Sequence, residues 1–215
     1  MGNVEDGLRE RKKRETRQLI SDAATGLFLE RGFDDVTVGE VAEAAGVSAK
    51  TVFNYFPRKE DLFLDRFPEA LELVAREVRE RPEGAHPVAV LRDLMLRLLA
   101  EGDALGGYAS RPSFARYWQV VLESPALTAR VREFVEELED LLARLFAEAG
   151  GTDPDAPGNR LAAAWAVAAY RTVYATGVRR AFAGEDGEAS KAEVAELIEK
   201  VFHRLRSAVE ECSVL

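Results

Sequence analysis

The sequence predicts an all-α protein, because apolar residues recur at helical spacing along most of its 215 residues. Between Ile20 and Phe28, for example, they fall three and four positions apart, which places them on one face of a helix. No segment alternates apolar and polar residues between hairpin turn signals, as a strand would. Glycine and proline clusters separate the periodic segments, which indicates helices joined by short connections.

The composition is that of a globular protein with a sizeable core, since 47% of the residues are hydrophobic and 31% are charged. The formal net charge of −9 by itself opposes nucleic-acid binding, but most of the acidic excess lies beyond residue 67. A basic segment near the N-terminus consists of Arg9, Arg11, Lys12, Lys13, Arg14 and Arg17. Such a run is either a solvated helix face or an arm that binds phosphates.

The sequence indicates a cytoplasmic protein that does not enter a membrane. Its N-terminus is charged and lacks the apolar stretch of a secretory signal. The longest apolar stretch, from Leu161 to Tyr170, is far shorter than the ~20 residues that span a bilayer. The single cysteine, Cys212, cannot form an intrachain disulfide, which is consistent with a reducing compartment.

The first helix is predicted from about Arg11 to Arg31. Gly32 ends it, because glycine adopts the left-handed conformation of the C′ position without strain. In a Schellman cap the residues on either side of this position approach each other, so we expect Phe28 and Phe33 to be in contact.

Two short helices follow. The segment Thr37-Val38-Gly39-Glu40 is a capping box that opens the second helix, and Gly46 ends that helix. Ser48 caps a third helix, which Pro57 closes from the far side. Two helices separated by a short glycine-containing turn are the sequence form of a helix-turn-helix.

We expect the third helix to bury Val52, Phe53 and Phe56 and to present its other face to the major groove of DNA. There Lys50 can donate to guanine and Asn54 can pair with adenine, while hydroxyls and ammonium groups reach phosphates. The residues predicted to bind DNA are Thr37, Ser48, Ala49, Lys50, Thr51, Asn54, Tyr55 and Lys59. Thr37 and Ser48 are helix caps whatever else they do.

A fourth helix is predicted from about Arg58, with a break near Pro68. Further helices are expected near residues 69–81, 87–104, 112–123, 125–149, 158–183 and 190–211. Pro87, Pro112 and Pro125 suit first-turn positions, and Ser124 suits a cap.

Residues 16–66 resemble the N-terminal domain of the TetR family of bacterial regulators. The resemblance is carried by Gly32-Phe33, Thr37, the segment from Val41 to Ser48, the segment from Thr51 to Phe56, and Lys59 with Leu62. Two residues depart from the family pattern, since Phe53 stands where tyrosine is frequent and Tyr55 stands where histidine is usual. The first departure removes a hydroxyl that would bind a phosphate.

The resemblance implies a transcriptional repressor that binds a palindromic DNA operator as a homodimer and is released by a small-molecule effector. It implies a DNA-binding domain over residues 1–67, with the basic segment as an N-terminal arm, and a helical ligand-binding and dimerisation domain over residues 68–215. The dimer would form through the helices near 158–183 and 190–211, although both helices may instead line the core of one protomer. The first of these two helices is rich in alanine.

Candidate effector-pocket residues lie on the middle helices. They are Leu94, Leu98, Tyr108, Phe114, Tyr117, Trp118, Val121, Trp165, Tyr170 and Tyr174. Apolar and aromatic residues at helical spacing are also what an ordinary core contains, so the same residues fit both interpretations.

Patterns that mark catalysis or metal binding are missing from the sequence. His86 and His203 have no cysteine or histidine at ligand spacing, and prolines interrupt the calcium-loop-like stretch that begins at Asp153. The sequence contains neither a GxxxxGK phosphate loop nor a GxSxG elbow. We therefore expect no enzyme, no cofactor and no metal. The alternative function is a helical small-molecule-binding or protein-interaction module that no longer binds DNA.

Overall fold

The computed structural model describes residues 2–107, 112–185 and 187–212, and the regular secondary structure over these ranges is helical. The helices are α1 (Gly2–Arg31), α2 (Val38–Ala44), α3 (Ala49–Tyr55), α4 (Lys59–Phe63), α5 (Phe67–Arg79), α6 (Pro87–Glu101), α7 (Pro112–Glu123), α8 (Pro125–Gly150), α9 (Pro157–Phe182) and α10 (Glu188–Cys212). A 3₁₀ turn, Ala104–Gly106, follows α6. The predicted all-α class is confirmed.

The predicted start of the first helix is wrong, because α1 begins at Gly2 and carries the whole basic segment. The segment is therefore part of a helix and not an extended arm. Its residues are mostly Arg, Lys and Glu, which are strong helix formers, and Arg11 pairs with Glu15 one turn later at 3.4 Å.

Two later boundaries also differ from the predicted ones. The break expected near Pro68 falls instead between Leu64 and Arg66, and Pro68 lies in the first turn of α5, where a missing N–H is tolerated. The helix expected to reach residue 104 ends at Glu101, because Gly102 takes a left-handed conformation with a φ of 68°. The prolines predicted for first turns do begin α6, α7 and α8.

The chain divides into two compact units. The first comprises Met1–Arg66 and Gln119–Val131, and the second comprises Phe67–Trp118 and Arg132–Leu215. The end of α7 and the start of α8 thus belong with α1–α4. The functional division at residues 67 and 68 stays a prediction.

The core of the first unit is centred on the fully buried Phe28. Its ring lies 5.0 Å from that of Phe33 and meets the ring of Phe63 edge-on at 5.6 Å, measured between centroids. Gly32 has a φ of 89°, and its N–H donates to the Phe28 carbonyl at 2.9 Å. The predicted helix stop and the predicted contact between Phe28 and Phe33 are both confirmed.

The core of the second unit is formed mainly by α6, α8, α9 and α10, with α10 packed on both α6 and α9. Small side chains on α9 face this core: Ala162, Ala163, Ala166, Ala169 and Gly177 are buried. Small residues let helices approach closely, so the four buried alanines, half of the eight in α9, serve packing within one protomer. Ala168 and Ala175 are the exposed exceptions among the small residues of this helix.

Candidate nucleic-acid interface and apolar cavity

Gly46 and Ser48 build the turn between α2 and α3. Gly46 has a positive φ of 64°, which glycine adopts without strain. The Val47 N–H donates to the Ala42 carbonyl, five residues earlier, at 2.9 Å, which is one of the two hydrogen bonds that characterise a Schellman cap. Ser48 then caps α3 by accepting the Thr51 N–H at 3.1 Å. The predicted helix-turn-helix geometry is therefore present.

α3 is anchored by Val52 and Phe56, whose side chains are 0% and 1% exposed. Val52 lies in α3 and Phe56 is the C-cap residue directly after it, so two buried side chains four residues apart fix the rotation of the helix about its own axis. The prediction that Phe53 is buried with them is wrong, because its side chain is 49% exposed. Phe53 follows Val52 directly and therefore points about 100° further round the helix. The spacing of Val52 and Phe56 already contained this information.

Four exposed side chains form the outer surface of α3. We call them the α3 face: Ala49, Lys50, Phe53 and Asn54. The lysine ammonium and the asparagine carboxamide are groups that read guanine and adenine edges in the major groove. Thr51 and Tyr55 lie beside this face and are half-buried.

The hydroxyl oxygens of Ser48 and Thr51 are 2.8 Å apart, so one of them donates a hydrogen bond to the other. Only one of the two hydroxyl protons is used in this way. Because Ser48 is exposed and Thr51 is half-buried, the remaining proton is available to an acceptor outside the protein, such as a phosphate oxygen.

Thr37 caps α2 as predicted. Its hydroxyl oxygen accepts the Glu40 N–H at 3.2 Å, and its own N–H donates to the Glu40 carboxylate at 2.8 Å. The Thr37 backbone bond, followed by the bond from the Arg31 guanidinium, lowers the pKa of Glu40 to about 2. The Thr37 hydroxyl donates to the same carboxylate at 2.8 Å, so a DNA contact from this hydroxyl would require that bond to break.

Arg17 on α1 holds the C-terminal end of α3. Its guanidinium donates to the carbonyls of Tyr55 at 3.3 Å and Asp65 at 3.1 Å, and it lies 4.3 Å from the centroid of the Phe56 ring. Tyr55 is the last residue of α3, so its carbonyl has no partner within the helix and Arg17 supplies one. Arg17 is therefore a positioning residue for α3.

Lys59 also makes contacts within the first unit. Its ammonium donates to the Phe33 carbonyl at 2.6 Å and lies 4.2 Å from the centroid of the Phe33 ring. Burial lowers the pKa of Lys59, against the opposing effect of Asp34 and other nearby carboxylates. A phosphate contact from Lys59 stays a prediction. It would use the ammonium N–H groups that do not donate to the Phe33 carbonyl.

Residues 119–131 add two polar contacts to the first unit. The Ser124 hydroxyl donates to Asp34 at 3.0 Å, and Arg130 forms an ion pair with Asp61 at 3.0 Å. The side chains of Arg130 and Asp61 are only 14% and 25% exposed. Val121, a candidate pocket residue, is buried in this same segment and thus belongs to the first unit. These contacts join residues 90 and 69 positions apart, and no pattern in the sequence predicts them.

The second unit contains an apolar cavity of about 60 Å³. Of the predicted pocket residues, Leu94, Leu98 and Tyr170 line it. Further lining residues, not predicted from the sequence, include Met95, Phe134 and Phe202. Burial raises the pKa of the Tyr170 phenol well above its ordinary value, so this group is a neutral hydrogen-bonding group within an apolar lining.

A row of aromatic rings continues from Tyr170. The centroid of Tyr174 lies 5.4 Å from that of Tyr170, 5.3 Å from that of Trp118 and 6.3 Å from that of Phe114. Tyr117 meets Trp118 edge-on at 5.9 Å. The structure thus brings together five of the predicted pocket residues, and Tyr170 is the one that connects this aromatic row to the cavity.

Trp118 contains a buried polar atom. Its indole nitrogen Nε1 is buried without a hydrogen-bond partner among the residues that the structure describes. A buried donor of this kind is rare in folded proteins and suits a ligand acceptor. Trp165, another candidate, packs at the edge of the core, and Tyr108 lies outside the described residues.

Over the described ranges, no group of three or more His, Cys, Asp or Glu side chains is arranged to hold a metal ion. Nor does any helix there have the length and apolar character needed to cross a membrane.

A helix-turn-helix whose exposed face carries Lys50 and Asn54, together with a helical unit that contains an apolar cavity, is the arrangement expected of a helix-turn-helix transcriptional regulator. Residues 20–65 match the family model described as bacterial regulatory proteins, tetR family. Over 152 residues the chain is 31% identical to the HTH-type transcriptional regulator TcmR of Streptomyces glaucescens. That alignment covers 69% of this chain and 66% of TcmR, slightly less than two thirds of the relative's length.

Solved structures share the fold. The repressor NalD of Pseudomonas aeruginosa superposes with a TM-score of 0.58 at 21% identity, over 88% of this chain and 96% of NalD. FadR of Thermus thermophilus, a repressor solved with lauroyl-CoA, gives a TM-score of 0.52 at 27% identity, over 88% of this chain and 92% of FadR. The chain belongs to the TetR family of bacterial regulatory proteins.

Proposed function

We propose that this protein is a transcriptional repressor that binds a palindromic DNA operator as a homodimer and leaves it when a small apolar molecule binds the second unit. The observation that carries the DNA-binding part is the α3 face. Val52 and Phe56 fix the helix so that Lys50 and Asn54 are exposed side by side with apolar neighbours. A rigid helix that presents such side chains suits direct readout in the major groove.

The first test is selection of bound duplexes from a random DNA pool by the full-length chain. We expect an inverted repeat, because two copies of a short recognition helix read two half-sites one helical turn, or a multiple of it, apart. A pool that stays random through repeated rounds at low salt would contradict DNA binding. It would favour the alternative, a helical small-molecule-binding or protein-interaction module.

Lys50 and Asn54 are proposed to read bases. Asn54→Ala should relax the preference at one base pair per half-site, by ~1–3 kcal/mol against the wrong base. Lys12→Ala together with Lys13→Ala, on the exposed face of α1, is the matched control. That double variant should weaken binding to all sequences alike and flatten its salt dependence, because phosphate contacts carry no sequence information. If Asn54→Ala leaves the ranking of single-base variants unchanged, Asn54 is not a reader.

The proposed dimer uses α9 and α10 of the second unit. Along α9, exposed apolar residues recur every seven positions at Leu161, Ala168, Ala175 and Phe182. This spacing forms one stripe along the helix, with large apolar residues at its two ends and alanines between them that would let a second helix approach closely. On α10, Leu197 and Val201 are half-buried and adjoin the buried face of that helix.

Ala168→Arg tests the dimer because it places a charge in the middle of the α9 stripe. A buried unpaired charge costs about 3–5 kcal/mol, so we expect monomers at micromolar concentration in sedimentation and a loss of operator binding. Ala129→Arg, at an exposed position on α8, is the control and should leave the oligomeric state unchanged. Equal sedimentation of the two variants would rule out α9 as the interface.

The proposed effector binds at the apolar cavity between Leu94, Leu98 and Tyr170. At about 60 Å³ the cavity is far smaller than the ~300–1,000 Å³ of typical ligand pockets, so a ligand must displace side chains and helices. A ligand that binds better to the expanded form shifts the protein away from the form shown here, and operator and ligand then weaken each other reciprocally. Because the lining is apolar and a relative binds lauroyl-CoA, acyl-CoA thioesters are the first ligands to test.

The ligand test measures release of labelled operator by acyl-CoA thioesters of increasing chain length, with coenzyme A alone as a control. Leu98→Trp should fill the cavity and abolish release while operator binding is kept, because Leu98 is buried in the second unit. Trp118→Phe keeps an aromatic ring at this position but removes the indole N–H, for which the described residues supply no partner, and should weaken the binding of any ligand whose acceptor meets that N–H. Release that is unaffected by Leu98→Trp would place the effector elsewhere.

A further inference from the structure

Phe53 is the one large apolar side chain of the α3 face, and core packing does not explain it. Its phenyl ring is 49% exposed, although the helix that carries it also buries Val52 and Phe56 completely. An exposed large apolar side chain adds little to the stability of the fold, and its burial against a partner is favourable. The partner must be apolar at the point of contact, because phenylalanine has no hydrogen-bonding group.

The neighbours of Phe53 indicate what that partner is. Lys50 lies one turn earlier on the same side of the helix, and Asn54 follows directly, and both are exposed. These are side chains that read guanine and adenine in the major groove, where the apolar group on offer is the C5-methyl of thymine. Phosphate oxygens, the other surface within reach of α3, would be a poor match for a phenyl ring.

Resting on the proposed DNA-binding function, we propose that Phe53 is a specificity-determining residue whose ring packs on the C5-methyl group of a thymine in each half-site. The ring and the methyl then exclude water from each other while Lys50 and Asn54 make hydrogen bonds to neighbouring base edges. Because Lys50 and Phe53 are one turn apart, the thymine lies within a base pair or two of the position whose preference depends on Lys50.

The test removes the methyl group from the DNA and the phenyl ring from the protein. In the selected operator, each thymine of a half-site is replaced singly by deoxyuridine, which differs only by that methyl, and the dissociation constant is measured by fluorescence anisotropy. We expect one thymine at which the wild-type protein loses affinity about fourfold, the effect of one buried methyl group. Phe53→Ala should bind more weakly and should not distinguish thymine from deoxyuridine at that position.

Lys50→Ala is the matched control, since it removes a neighbouring contact but keeps the ring, and it should retain the fourfold effect. Circular dichroism melting should show that Phe53→Ala is as stable as the wild type, as expected for an exposed side chain. The inference is overturned if no thymine shows an effect that disappears with Phe53→Ala, even though a defined operator is bound. Failure to select any operator would instead overturn the proposed function, and this inference with it.

Discussion

The two units of this protein fix their functional surfaces by different means. In the first unit, the position of α3 is fixed by residues close to it in sequence, namely the Gly46 turn, the Ser48 cap and the buried Val52 and Phe56. In the second unit, the cavity is enclosed by residues from helices far apart in the chain, such as Leu94, Phe134 and Phe202. A surface of the first kind can be identified in the sequence, whereas one of the second kind exists only after packing.

The polar groups of the two units also differ in whether they find partners within their own unit. In the first unit, Arg17, Arg130 and the Thr37 hydroxyl all bind other parts of that unit. In the second, the Trp118 indole N–H is buried without a partner among the described residues. These polar groups of the first unit are thus used in internal contacts, whereas the described part of the second unit leaves one buried donor unused, which suits a ligand acceptor.

The largest stability effect is expected from a glycine of the second unit. A Cβ atom at Gly106 would lie 2.6 Å from the backbone nitrogen of Leu99, so Gly106→Ala must push the 3₁₀ turn away from α6. Overpacking of this kind costs about 1–3 kcal/mol, measured by urea unfolding. Gly26→Ala in α1 is the control, since nothing lies within 4 Å of the new Cβ. Gly26→Ala should stabilise the folded protein by ~0.5–1 kcal/mol. A loss of stability in this variant would contradict the expected difference between Gly106 and Gly26.

An effect of the same size is expected from the ion pair between Arg130 and Asp61, which connects residues 119–131 to the rest of the first unit. Arg130→Ala leaves Asp61 mostly buried without this partner, which should cost about 1–3 kcal/mol. Asp61→Asn in the Arg130→Ala background should recover part of the loss, because it removes the uncompensated charge. If the two substitutions prove additive in a thermal-unfolding cycle, the pair does not contribute as a pair.

A helix cap of the first unit gives a smaller effect. Thr37→Ala removes the hydroxyl that accepts the Glu40 N–H and should destabilise by ~1 kcal/mol. Thr37→Ser keeps the hydroxyl and should restore most of the loss. If Thr37→Ser loses operator affinity at unchanged stability, the Thr37 methyl group contacts the DNA.

The smallest effect is a dependence on pH. The pKa of Glu40 is about 2 in the folded protein, against an ordinary value of 4.5, so its charged form is favoured by folding. The stability that this gives is complete above about pH 4.5 and is lost as the pH falls towards 2. The difference in melting temperature between wild type and Glu40→Gln should therefore shrink over that window. A difference that stays constant from pH 6 to 2.5 would show that Glu40 acts only through neutral hydrogen bonds.

The sequence predicted those parts of the fold that depend on neighbouring residues. Gly32 with its contact between Phe28 and Phe33, the capping box at Thr37 and the turn at Gly46 all follow from backbone rules that act over a few positions. The predicted burial of Phe53 is wrong because Phe53 lies about 100° round the helix from Val52 and therefore leaves the side on which Val52 and Phe56 are buried.

Other parts of the site had no local signal. The sequence marks Ser124 only as a helix cap and gives Arg130 no distinguishing context, and only the folded chain brings them to Asp34 and Asp61. In the second unit, Met95 and Phe202 have the same spacing as ordinary core residues, so periodicity does not separate cavity lining from core. The Trp118 indole N–H has no hydrogen-bond acceptor among the described residues, and no spacing rule predicts the absence of an acceptor.

The discontinuity of the first unit has a consequence at the level of the gene. A fragment that ends at residue 66 would encode α1–α4 without the segment that supplies Ser124, Arg130 and the buried Val120, Val121 and Leu127. Exchange of the first unit between regulators of this kind would then require two grafted segments, residues 1–66 and residues 119–131 together. Chimeras that carry the first segment alone should be recovered mainly as insoluble protein, and the paired graft should restore soluble expression.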